Sequence, residues 1–139
     1  MIIVIRISGK VKIRKDIEET LFRLRLRRKY SCVLIYEKDG NALGMLEKVK
    51  NYVSYGNIEK ETLVKLIEKR AVRADKKEIK DADKIAESLE KGKTLEELEL
   101  KPFFRLNSPK GGLKSSKKSY PKGVLGNNKE INKLLGRML

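Results

Sequence analysis

Along the first 58 residues the apolar positions switch between a period of two and a period near 3.6. Ile2 to Ile7 ("IIVIRI") is a β-branched run closed by Ser8-Gly9, and it predicts a strand. Ile17, Leu21 and Leu24 then recur at helical spacing, with Phe22 and Leu26 widening the face. Asp16 stands where an N-cap belongs, and Glu19 three residues on completes a capping box. "RRKYSCVLIY" predicts a second strand, and "EKDGN" the turn after it. Leu43, Leu46 and Val49 form a second apolar stripe starting near Asn41, and "YVSYG" is a short third strand closed by Gly56. Strands and helices alternating this tightly predict an α+β sandwich with the helices on one sheet face.

Beyond residue 58 the pattern turns helical. Leu63, Leu66 and Ile67 mark one helix, "EKETLVKLIEKRA". Asp81 caps another, with Ile85, Ala86 and Leu89 inward and Gly92 as its stop. Thr94 with Glu97 repeats the capping-box pattern before Leu95 and Leu98. "FFRL" (Phe103 to Leu106) predicts an anchoring strand, and "KEINKLLGRML" from Lys129 resumes helical spacing through Ile131, Leu134, Leu135 and Met138. Between them lies "NSPKGGLKSSKKSYPKG", with five lysines and no acidic residue. Ser108-Pro109 breaks regular structure there, Gly111-Gly112 frees the backbone, and up to Gly126 few side chains can fill a core. The poorest folder of the chain thus sits between two anchors.

Charge sharpens this division. The 139 residues carry a net +15. Residues 1–58 hold +7, residues 59–101 balance twelve basic against twelve acidic side chains, and residues 102–139 hold +8. The expected organisation is a β-α-β-α-β RNA-binding core (1–58), a helical extension (59–101), then an anchoring strand, extended basic tail and short helix (102–139). So basic a chain repels itself unless a polyanion neutralises it. Nucleic acid is the first candidate, an anionic membrane surface the second. The tail lacks the amphipathic period and apolar anchors that a membrane surface needs.

Chemistry narrows the function classes. There is no histidine, so the usual neutral-pH acid/base group is missing. Cys32 is the only cysteine and sits in an apolar run; it reads as a small buried hydrophobe, and no disulfide within the chain is possible. No Cys/His cluster offers a zinc site, and "SPKGG" lacks the spacing of a phosphate loop. Two readings stay open for the acidic cluster Glu96, Glu97 and Glu99, a cation site or a solvated surface, of which solvation is the commoner. Neither an enzyme, a cofactor nor a small-molecule substrate is expected. No apolar run approaches the ~18 residues of a membrane span, and "MIIVIRI" is too short for a signal peptide, so a cytoplasmic protein is expected.

Phosphate binding is better supplied. Arg23, Arg25, Arg27, Arg28 and Lys29 crowd the end of the first helix. Two readings stay open for them: dipole complementarity at a helix C-terminus, or an RNA face built from Arg27, Arg28 and Lys29. The tail carries Arg105, Lys110, Lys114, Lys117, Lys118 and Lys122, and two readings stay open for Tyr120 among them: stacking on a base or packing on the domain. Gly111 and Gly112 allow the backbone close to a ligand. Such a segment suits ordering by RNA, and neutralising ~6 phosphates makes binding steeply salt-dependent.

Five stretches in order resemble one family: "DIEETLFRLRLRRKYSCVLI", "NALGMLEKVKNYVSYG", "ETLVKLIEKRA", "FFRLNSPKGG" and "YPKGVLG". Together they are similar to the archaeal form of large-ribosomal-subunit protein thirty, numbered seven in eukaryotes. Asn107 and Tyr120 stand where that family has histidines, Ser108 replaces a proline, and Lys110 replaces an arginine. The resemblance implies a β-α-β-α-β core with an antiparallel, somewhat ferredoxin-like sheet. It also implies an architectural role on large-subunit ribosomal RNA, ribosome-bound, beside neighbouring ribosomal proteins and without catalysis. The alternative is a free-standing RNA-binding regulator or ribosome assembly factor.

Overall fold

A computed structural model of the chain describes residues 1–9, 13–71, 81–93, 95, 97–98, 100–112, 118, 120 and 122–139. Strands β1 (Ile2–Arg6), β2 (Ser31–Ile35), β3 (Val53–Asn57), β4 (Phe104–Arg105) and β5 (Gly126–Asn127) form one sheet in the order β4-β2-β1-β3-β5. β1 pairs antiparallel with β2 and β3, and β2 pairs antiparallel with β4; β5 joins β3 in parallel. Helices α1 (Lys15–Arg23) and α2 (Gly40–Val49) connect the first three strands. Helices α3 (Lys60–Arg70) and α4 (Ala82–Glu90) follow, and α5 (Ile131–Met138) closes the chain.

β1 is central and covered on both faces, which is why "IIVIR" shows no polar alternation. Val4, Val33, Ile35 and Val53 pack with Ile17, Leu21, Leu46 and Val49 of α1 and α2. Ile3, Ile5, Ile7 and Cys32 pack with Leu63, Leu66, Ala86, Leu89, Leu134 and Leu135 of α3, α4 and α5. The helices of the first segment therefore share one sheet face, as expected, and the later helices cover the other. Each fully buried aliphatic side chain contributes about 2 kcal/mol.

Local rules of capping worked unevenly. Asp39 caps α2, its carboxylate accepting the Ala42 N–H at 3.2 Å. Asp16 is not a cap: α1 begins at Lys15 after Arg14, Asp16 lies in the first turn, and Glu19 pairs with Arg23 at 2.8 Å instead of reaching back. Asp81 holds the N-cap position of α4 without a side-chain hydrogen bond. Thr94 and its capping box lie outside the described residues.

Helices α1 and α4 end alike. Lys93 N–H donates to Ser88 O and Gly92 N–H to Leu89 O, with Gly92 at φ +101°. Leu26 N–H donates to Leu21 O and Arg25 N–H to Phe22 O, with Arg25 at φ +66°. This paired closure normally takes glycine at the left-handed position. The helix therefore stops before Leu24 and Leu26, which stay buried from a loop, and Phe22 turns out to be 54% exposed instead of widening the apolar face.

The far end of the basic tail is also tied down. Val124 and Leu125, among the few apolar side chains expected before Gly126, are buried in the core. Asn128, buried, donates from its amide to Ser54 Oγ and from its backbone to Tyr55 O, fixing β5 against β3. Gly56 permits that approach: a Cβ there would lie 2.6 Å from Asn128 O and 2.8 Å from Ile131 Cγ2.

Candidate nucleic-acid interface

Strand registers place the basic segments relative to one another. β1 leaves the sheet at Arg6, where it faces Val53, the first residue of β3. Ser31, the first residue of β2, pairs with Arg105, the last of β4. Gly126, the first of β5, pairs with Ser54. The loop entering β2, the departure from β4 and the start of β5 thus all lie at one end of the sheet. Arg27, Arg28 and Lys29 lead into that end, where Arg105 leaves β4 and Gly126 enters β5. The opposite end, after β2 and β3, mixes signs: Glu37, Asp39, Glu59 and Glu61 with Lys38 and Lys60.

The five-cation cluster divides. Arg23 pairs with Glu19 and, with Arg25, lines a cleft beside Tyr36 and Asp39. Arg27, Arg28 and Lys29 are exposed. The Arg27 guanidinium lies 4.2 Å from the Phe22 ring centroid, and Lys29 Nζ lies 5.1 Å from that of Tyr30. Tyr30 has φ +66°, so left-handed backbone at Arg25 and Tyr30 brackets the loop. For non-glycine residues that conformation costs about 1–2 kcal/mol each.

Buried Arg6 supports this loop from beneath. Its Nη1 donates to Leu26 O at 2.6 Å, its Nε to Ser8 O at 2.9 Å and its Nη2 to Gly9 O at 3.2 Å. Desolvation lowers its pKa from the ordinary value, with Glu18 opposing. Three carbonyl acceptors satisfy the fork, so the side chain joins the loops that follow β1 and α1 while keeping its charge.

In the tail, Arg105 is exposed on β4, and Leu106 N–H donates to Tyr30 O, which sets Arg105 beside the Arg27–Lys29 loop. Lys110 is exposed, as are Gly111 and Gly112, both at positive φ (+81° and +76°). Arg137 of α5 holds them: its Nη1 donates to Gly112 O at 2.8 Å and Lys110 O at 3.3 Å. Lys118 and Lys122 are exposed on a loop closed by Tyr120 N–H to Leu125 O and Leu125 N–H to Lys118 O. Lys114 and Lys117 lie outside the described residues. Half-buried Tyr120 shares a cavity of about 690 Å³ with Gly111, Gly112, Glu130, Lys133 and Arg137.

Sequence reasoning missed several of these residues. Arg6 had a signal, a lone charge ending an apolar strand run. Lys133 and Arg137 are spaced four apart on the polar side of α5, and that periodicity was readable. Phe22 was hidden because its helix ends earlier than its apolar spacing suggests. Cys32 is buried as expected, and burial raises its thiol pKa, leaving it no nucleophile's role.

Fold and charge together define a class: a small basic α+β protein presenting a cationic sheet end, with no metal-binding carboxylate, cysteine or histidine group among the described residues. No helix among them is long and apolar enough to cross a membrane. Comparison with known proteins agrees. Residues 2–53 match the family described as Ribosomal protein L30p/L7e. The chain is 38% identical to Large ribosomal subunit protein uL30 of Archaeoglobus fulgidus, with 99% of each chain covered. It is 40% identical to the protein of that name from Methanococcus vannielii (98% of this chain, 97% of the relative) and 36% to that from Nitrosopumilus maritimus (99% and 97%). The chain belongs to the uL30 family of large-subunit ribosomal proteins, which is not a family of enzymes.

Proposed function

We propose that this protein is a structural constituent of the large ribosomal subunit that binds ribosomal RNA through the cationic end of its sheet. The observation that carries the reading is the convergence of Arg27, Arg28, Lys29 and Arg105 at the sheet end where β4 leaves and β5 begins, with Lys110, Lys118 and Lys122 exposed beyond those strands. Two-sided burial makes the sheet a rigid base, and the cations extend from loops at its rim. Phosphates would meet the arginines as bidentate partners and the lysines as point charges. Gly111 and Gly112 let the backbone come near the RNA, and Tyr120 offers a ring at the mouth of the adjoining cavity. The mixed-charge far end and the outer faces of α3 and α4 are left for neighbouring ribosomal proteins.

The test uses purified protein and large-subunit ribosomal RNA. Changing Lys114, Lys117 and Lys118 together to alanine should weaken binding. It should also reduce the slope of log affinity against log salt by about two to three units, since each phosphate contact contributes roughly 0.7–0.9. An unchanged slope removes the tail from the interface. Persistence of the protein on large subunits through a high-salt wash distinguishes a structural constituent from a free-standing regulator or assembly factor.

A further inference from the structure

The charge-neutral segment, residues 59–101, carries a local excess of positive charge at the end of α3. In sequence, Lys69 and Arg70 look like cations placed to complement the C-terminal dipole of α3. That reading does not cover Lys101 and Arg105, which come from a distant part of the chain and meet them around one cavity of about 310 Å³. Ala71 and Phe103 line it as well, and no carboxylate among the described residues does. The Arg105 guanidinium lies 5.9 Å from the Phe103 ring centroid. Arg70 Nε is buried and has no hydrogen-bond partner among the described residues. A charged donor removed from water without an acceptor is rare in a folded protein. Four cations around one concavity repel one another unless an anion sits among them. Arg105 also belongs to the sheet end described above, so the cavity continues that surface.

We propose that this cavity binds one backbone phosphate of ribosomal RNA, which accepts from Arg70 and lies among Lys69, Lys101 and Arg105. The inference rests on the RNA-binding reading and extends the interface onto the helical segment. It is tested with the full-length protein and large-subunit ribosomal RNA, comparing wild type with K69A/K101A and with R70K. Lys69 and Lys101 are exposed, so their removal leaves the fold intact, as circular dichroism and a thermal melt would verify. K69A/K101A should bind about ten-fold more weakly near 0.15 M salt, with the salt slope reduced by about one. R70K keeps the charge and loses the fork, and should bind several-fold more weakly at an unchanged slope. Wild-type affinity and slope in either variant overturns the site while leaving the RNA-binding reading intact. A wild-type protein that ignores the RNA, or binds it without salt dependence, overturns that reading and the site with it.

Discussion

Replacing Arg6 with lysine tests whether a buried cation holds the basic loop in place. The guanidinium makes three hydrogen bonds, to Leu26 O, Ser8 O and Gly9 O. An ammonium on a shorter stem can keep one of them and leaves two carbonyls without a donor. Each hydrogen bond from a charged group is worth about 1.5 kcal/mol net or somewhat more, so Arg6→Lys should lose about 3 kcal/mol. Lysine is also the more strongly hydrated cation, so its burial is the less favourable. Urea denaturation followed by circular dichroism reads this directly. With a slope of about 2 kcal/mol/M, the midpoint should fall by about 1.5 M. RNA affinity, measured where the variant is fully folded, should fall as well, because Leu26 precedes Arg27, Arg28 and Lys29. Arg6→Met is the complement: it removes the cost of desolvating a charge along with the bonds. The methionine variant should therefore lose less stability than the lysine variant, and a lysine variant within about 0.5 kcal/mol of wild type would refute the idea that these bonds hold the loop.

Three further outcomes follow from named contacts. Gly56→Ala forces a Cβ to within 2.6 Å of a backbone oxygen, and should cost about 1–3 kcal/mol in a thermal melt; unchanged stability would mean that β5 and α5 shift freely. Arg25→Gly and Arg25→Ala remove the same side chain, but only alanine keeps a Cβ at the left-handed position, so the glycine variant should be the more stable by about 1 kcal/mol, and an alanine variant of equal or greater stability would contradict the helix-end geometry. Cys32 is fully buried with its thiol pKa raised, so alkylation should proceed only at the rate of global unfolding; complete labelling within minutes in native buffer would contradict that burial.

Period and β-branching made the three inner strands and the five helices of the described residues readable, because each buries a continuous apolar face. "FFRL" was readable as the anchoring strand, and β4 forms within it at Phe104–Arg105, whereas β5 pairs through only two residues, one a glycine, and carries no pattern of its own. Capping failed at Asp16 because acidic residues suit the whole first turn, and spacing does not say which of them ends the extended chain. Phe22 failed because paired closure of the helix end turned it outward. The tail cations were legible from composition, yet their meeting with Arg27, Arg28 and Lys29 depends on the pairing of Ser31 with Arg105, a contact 74 residues apart in the chain. The cavity around Arg70 was invisible for a further reason: a segment with balanced net charge conceals a local excess that only folding assembles.

Chain length explains why so poor a folder is tolerated between two anchors. β4 and β5 form opposite edges of the sheet, four strand spacings or about 19 Å apart. Residues 106–125 could reach about 65 Å if extended, more than three times that span. Loop-closure entropy grows only with the logarithm of length, so the surplus costs the fold about 1 kcal/mol. Closing the sheet edges would need far fewer residues, and would not need lysine at Lys110, Lys118 and Lys122. The ends of the crossing are fastened by apolar and backbone contacts, through Leu106, Val124 and Leu125. Lys110, Lys118 and Lys122, all exposed, therefore carry no packing duty, and that division of labour is what the proposed binding of a polyanion needs.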